Sequence, residues 1–349
     1  MRRFRCNSGT RAAALAAGTI ALGLASAARP VAAQGRFGPL TAPTRITELA
    51  AANQECCRLL LLPVGARQTA MAMAVAPVAS PDAVFYNPAG LAQLSGNHFV
   101  LHHLESDFQP YDAFTLLVSP GNLAVFGVSY ALLDYGDQDL TGENETVVGR
   151  VSAADHVLIA SFATALTAGV AAGLNYKYYN WRIECSGQCG TARDVSAVTH
   201  VLDFGVQYQP SWLTQLRFGA SLLNVGLPLQ VINSEQSDPP PTRLRLGASY
   251  DVLQHVDSVG PYRLLLLVEA QEDDWQQPTT PNTSVGFEAS VADFVFLRGG
   301  YGAGGEGLEA GPAVGLGIVY SSFNISVAKR VDGGVGGDEP FQLTLDIGF

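Results

Sequence analysis

Long apolar runs are missing from most of this chain. Beyond the first thirty or so residues, the longest tight aliphatic stretch is Leu264 to Val268, far short of the ~20 residues that a membrane-spanning helix needs. Charge is scarce too: 15% of residues are charged while 48% are hydrophobic. Such a chain must hide its apolar groups in a core or alternate them outward along strands. Positive charge is in deficit, with 20 Lys and Arg against 31 Asp and Glu, and no basic run follows the N-terminal segment; this excludes a phosphate-binding surface for nucleic acid. Cysteine is sparse. Glycine (37), Tyr (12) and Phe (16) are plentiful and favour strands.

The N-terminus reads as an export signal over 1–33. Arg2, Arg3, Arg5 and Arg11 form a basic head, Ala12 to Ala28 a small apolar stretch, and Val31-Ala32-Ala33 a cleavage site. An uncleaved anchor is the alternative. Export permits disulfides. Cys6 leaves with the signal, and Cys185 and Cys189 close a short Gly-containing loop that suits a local disulfide better than a metal site, since no His flanks it. The state of the adjacent Cys56 and Cys57 stays open.

From about His98 onward, segments of roughly ten residues alternate with period two and end at Gly, Pro, Asn, Asp or Ser. In the last segment, Phe341, Leu343, Leu345, Ile347 and Phe349 share one face, and Gln342, Thr344, Asp346 and Gly348 the other. One face suits lipid, the other water or polar packing. Fourteen strands are expected, at 97–105, 111–119, 122–131, 154–165, 168–183, 195–209, 215–224, 242–252, 261–270, 282–291, 293–302, 311–320, 323–331 and 341–349.

The connections then sort into short turns at one end and longer loops, such as 132–153 and 225–241, at the other, the asymmetry of outer-membrane barrels. The expected fold is all-β: a transmembrane antiparallel β-barrel over 97–349 in the outer membrane, preceded by a periplasmic or lumen-plugging segment over 34–96 in which Arg45 to Leu62 forms a short helix. Its partners would be outer-membrane lipid and the barrel-assembly machinery, with Phe349 as the C-terminal assembly signal. A soluble sandwich or propeller also alternates, but the regular charged face and the loop asymmetry weigh against it. Tyr130, Tyr176, Tyr178, Trp181, Tyr208, Tyr250 and Tyr320 fit interfacial girdles.

Catalytic and metal constellations are not visible, so no enzyme, cofactor or metal is expected. His102 and His103 must face opposite sides, leaving too few ligands on one face. No Ser lies at triad spacing from a His, and the Gly-rich pieces near Gly299 to Gly307 open no helix. Asp134, Asp137, Asp139, Glu143 and Glu145 form an acidic stretch read as solvated surface, with calcium as the alternative. Arg217, Arg243 and Arg245 are expected in the lumen, pairing with Asp203, Glu288 or Asp346.

The stretch Gly65-Ala66-Arg67-Gln68-Thr69-Ala70-Met71-Ala72-Met73-Ala74, then Val84-Phe85-Tyr86-Asn87-Pro88-Ala89-Gly90-Leu91-Ala92, resembles the N-terminal signature of the PorV/PorQ family, itself related to FadL-type outer-membrane transporters. The family's usual Met-Gly-Gly reads Met71-Ala72-Met73 here. The resemblance implies a fourteen-stranded barrel with an N-terminal hatch built on Asn87, Pro88, Ala89 and Gly90. It also implies an accessory role in type IX-like secretion or surface attachment, with secretion components or exported proteins as partners. The alternative is FadL-like passage of long-chain fatty acids or other hydrophobic small molecules.

Overall fold

Alternation of side chains along consecutive segments becomes a single closed sheet. A computed structural model describes residues 55–349 apart from 106–109, 121–122, 143–145, 190–193, 232–236, 254–260, 273–280, 305–310 and 332–340. The expected signal over 1–33, and all of Arg45 to Leu62 before residue 55, lie outside the described residues; within the remainder only a 3-10 turn at Arg58–Leu61 is helical.

The strands are β1 (His98–Glu105), β2 (Tyr111–Val118), β3 (Ala124–Thr141), β4 (Val147–Thr167), β5 (Val170–Gly187), β6 (Val195–Tyr208), β7 (Leu216–Gly226), β8 (Leu229–Gln230), β9 (Ser237–Asp238), β10 (Arg243–Asp251), β11 (Tyr262–Glu272), β12 (Asn282–Val291), β13 (Val295–Ala303), β14 (Gly311–Tyr320), β15 (Phe323–Arg330) and β16 (Phe341–Gly348). Fourteen of them form a closed antiparallel barrel; β8 and β9 make a separate hairpin. Each barrel strand pairs with its neighbour in sequence, and β1 closes the ring on β16 from His98↔Gly348 to Glu105↔Phe341. Reciprocal backbone bonds between Asn97 and Phe349 seal the seam. Closure leaves no open edge, so every ladder group can pair within the sheet.

The faces are inverted relative to a soluble protein, which decides against a sandwich or propeller. Leu246, Val268, Val285, Leu316 and Ile318 point outward and are about half exposed, at 52–54%, while Asn175, Lys177, Asp203, Gln207, Arg245 and Glu269 are buried inside. Among the described residues no helix is long and apolar enough to cross a membrane; the strands supply the apolar belt. Tyr130, Leu158, Tyr178 and His200 fall in one cross-strand row on the outer face. Two Tyr–His hydrogen bonds of 2.6 Å, Tyr130 Oη with His156 Nδ1 and Tyr176 Oη with His200 Nδ1, give this row the polar tips that an interfacial girdle needs.

Two expectations are corrected. Most of the segment 132–153 is strand rather than loop, because β3 runs to Thr141 and β4 begins at Val147; Asp137 and Asp139 meet Arg150 across this pair at 3.4 and 3.1 Å. Acidic residues suppress strand propensity but are tolerated on a solvated ladder where an opposite charge lies across it. Trp181 is not in the outer girdle: it turns inward and packs against the core beside Cys56 and Cys57. Strand parity fixes this, since Tyr179 and Trp181 share the inward face.

Candidate functional site

The lumen is filled by the segment leading into β1. After the turn at Arg58–Leu61 it forms a short helix at Ala66–Ala70 and 3-10 turns at Pro81–Phe85 and Pro88–Gln93. Its small residues let it sit against the barrel: Ala66, Ala70, Met71, Ala74, Ala76, Val84, Ala89 and Leu91 are all sealed from solvent.

Glycines on the inner wall receive it. Gly173 faces Gly205 across β5 and β6, Gly219 faces Gly247 across β7 and β10, and Gly286 faces Gly300 across β12 and β13. A Cβ at either member of the first pair would overlap the Asn87-Pro88-Ala89 segment; at the second it would meet Ala76 and Pro77, and at the third Met71. Absence of a side chain permits close backbone approach.

Asn87, fully buried, locks the contact. Its Oδ1 accepts from Ala89 N at 3.2 Å, and its Nδ2 donates to Ala76 O at 2.7 Å and Val206 O at 3.2 Å. Pro88 starts the following turn, where its missing donor costs nothing. Gly90 packs where a Cβ would lie 2.5 Å from Val78 O. The four residues singled out in sequence are thus brought together against the wall.

Wall side chains complete the attachment. Glu269 accepts from Val75 N and Ala76 N at 2.7 and 2.6 Å. Thr344 Oγ1 accepts from Ala66 N at 2.8 Å, Thr69 bonds Gln342, and Gln207 Nε2 donates to Ala76 O and Val78 O at 3.0 Å. Arg67 grips Glu288 through both carboxylate oxygens at 2.8 Å.

The lumen charges lie on the inner face, but the expected partnerships are corrected. Arg243 pairs with Glu55 at 2.7 Å, Arg245 with Glu269 at 3.3 Å, and Asp203 with Lys177 at 2.8 Å. Glu288 is shared by Arg67 and Arg298, and Asp346 meets His98 at 3.0 Å. Arg217 reaches none of the carboxylates expected for it. Alternation assigns a residue to a face, whereas pairing depends on barrel register and on hatch residues inserted between strands. Asp203 also anchors a bulge: Asn224, with φ +58°, donates its backbone N to Asp203 Oδ1 at 2.8 Å and accepts from Lys177 Nζ at 2.8 Å. Asn tolerates this left-handed conformation, and the bulge interrupts the β6–β7 register.

The hatch divides the lumen. On the long-loop side an apolar cavity of about 40 Å³ is bounded by Leu59 to Leu62, Val64, Met73, Phe85, Ile159 and the ring of Tyr86, with Lys177, Arg243 and Arg245 at its margin. Above it, an open recess of about 330 Å³ is lined by Cys56, Cys57, Tyr135, Asp155, Tyr179 and Trp181. Cys56 and Cys57 are joined in a disulfide, as are Cys185 and Cys189 further out on the rim. On the short-turn side, chambers of about 270 and 370 Å³ lie around Arg67, Arg217 and Arg263, and around Asp82, Arg298 and Asp346. Phe349 stands largely exposed at the seam. Among the described residues no group of three or more His, Cys, Asp or Glu is placed to hold a metal ion.

The inner-wall glycine pairs were not singled out in sequence. Their signal is a Gly on the polar face of one strand that falls opposite another in the expected pairing.

No protein-family model matches the sequence, and no curated protein matches it. Solved structures do match the fold. The toluene transporter TbuX of Ralstonia pickettii aligns with a TM-score of 0.53 at 13% identity, covering 81% of this chain and 96% of that one. The P. putida toluene transporter TodX gives 0.53 at 12%, covering 82% and 98%. A Pseudomonas aeruginosa FadL homologue gives 0.51 at 11%, covering 82% and 99%. These comparisons lend nothing to the PorV/PorQ assignment in particular; the closed fourteen-stranded barrel shares the fold of FadL-type outer-membrane transporters.

Proposed function

We propose that this chain resides in the outer membrane, with its short-turn end toward the periplasm, and passes small hydrophobic molecules that carry no net charge. The observation carrying this reading is the apolar cavity above the hatch. Three cations stand at its margin, and each already has a carboxylate: Lys177 has Asp203, Arg245 has Glu269 and Arg243 has Glu55. A cargo carboxylate would have to displace one of these partners, and breaking either of the two buried pairs, Lys177–Asp203 or Arg245–Glu269, costs about 3–5 kcal/mol. A neutral ring or alkyl chain meets leucine, Met73 and aromatic side chains without that penalty. Fatty acids, the alternative cargo, are therefore disfavoured at this position. The fold likeness to two toluene transporters accords with this reading.

At about 40 Å³ the cavity is constricted, since a dry cavity near 150 Å³ is of the size that takes benzene. Passage requires the leucines of the 58–61 turn to swing aside. Cells expressing the chain should take up labelled toluene faster than cells without it, and Leu60→Ala should raise the rate, whereas Met73→Trp should abolish the gain. Equal uptake in all four strains rejects the proposal. The secretion role implied by the PorV/PorQ resemblance ranks second. Deleting the gene and comparing the secreted proteome with toluene uptake separates the two: loss of secreted proteins with unchanged uptake would reverse the order.

A further inference from the structure

The two chambers beneath the hatch differ in charge balance. The one around Arg217 is lined by three guanidinium groups, on Arg67, Arg217 and Arg263, and by two carboxylates, on Asp251 and Glu288. Both carboxylates are engaged. Glu288 takes Arg67 in a fork at 2.8 Å and Arg298 at 2.6 Å; Asp251 takes Arg263 at 2.9 Å. One positive charge is left over, and it sits on Arg217.

Among the described residues Arg217 makes no ion pair within 4.0 Å, and its Nε is sealed from solvent without a hydrogen-bond partner. Its terminal nitrogens also have no partner but are not sealed, so they open into the chamber. Arg217 lies directly across from Ser249 in the β7–β10 ladder, and Ser290, Gln209 and Gln215 add further polar groups to the same walls. A guanidinium is always charged, and its planar fork matches the two oxygens of a carboxylate. The open fork of Arg217, beside carboxylates that are already engaged, is therefore a donor pair suited to a planar two-oxygen anion.

We propose that this chamber, of about 270 Å³, binds a small organic carboxylate, its two oxygens on the terminal nitrogens of Arg217 and its body against Phe296 and Leu265. The site lies on the opposite side of the hatch from the neutral cavity and stands independently of the transport reading.

The test is calorimetric titration of the purified full chain in a non-ionic detergent with sodium benzoate, benzamide and inorganic phosphate. Benzoate should bind at one site, benzamide should not, and Arg217→Gln should weaken benzoate by about tenfold or more, the loss expected for a charge-assisted fork. Arg217→Lys keeps the charge without the fork and should retain part of the affinity, which guards against a folding defect in the first variant. Equal benzoate binding by wild type and Arg217→Gln overturns the assignment. So does binding of benzamide as tight as benzoate, or of phosphate in preference to benzoate.

Discussion

At the scale of single residues, the hatch is held by polar groups that have no solvent to fall back on. Asn87 illustrates the asymmetry of buried hydrogen bonds: one side chain with no exposure bonds three backbone groups. Asn87→Ala strands Ala89 N, while Ala76 O keeps its bond from Gln207 Nε2, and should cost about 1–3 kcal/mol for the one donor that water cannot reach. A lowered thermal transition in detergent is the measurement; an unchanged transition would show that the hatch is not coupled to barrel stability. Gly205→Val tests steric fit instead, since the added atoms overlap Asn87 and Ala89. Overpacking of about 1–3 kcal/mol is expected, read as faster proteolysis of the 55–96 segment while the strands stay protected.

At the scale of elements, alternation made the strands legible, and lipid on one side with a filled lumen on the other made the alternation unusually clean. Thirteen of fourteen expected strand starts lie within two residues of those observed; the exception is β4, which begins at Val147 rather than near 154. Its upper part, Val147 to Ala153, interrupts its valines with Gly149, Arg150 and Ser152, and the facing ends of β3 and β5 carry Asp, Arg and Glu in solvent, so no regular apolar face betrays the period. The hatch was visible only as a motif: Asn87 and Pro88 announce a turn, but nothing local says that the turn docks on Gly173 and Gly205, a contact made across more than eighty residues. Charge partners were illegible for a related reason. Leu316, outward on β14 and about half exposed, offers a test of the lipid-facing belt. Leu316→Arg should impair assembly by about 2–4 kcal/mol, seen as loss of the heat-modifiable folded band, whereas Val147→Arg, on the solvated extension of β4, should be nearly silent.

At the scale of the whole molecule, the lumen is a polar wall whose charges, Arg217 excepted, are largely paired, closed by a plug. Deleting 55–96 should convert a barrel with no measurable ion flow into a conducting one, because the lining left behind is polar; planar-bilayer recordings on the two proteins would show it, and two equally silent traces would mean that the strands collapse inward without the hatch. The glycine pairs constrain how such a barrel can work while intact. Three notches, at different bearings around the ring, each fit one stretch of inserted backbone, so the insert is keyed like a shaft in a slotted collar. Turning it or driving it along the axis would push ordinary side chains onto the unyielding ribs between notches. On the proposed reading, a transported molecule has to slip past a stationary stopper, and the gate is whatever can flex beside it.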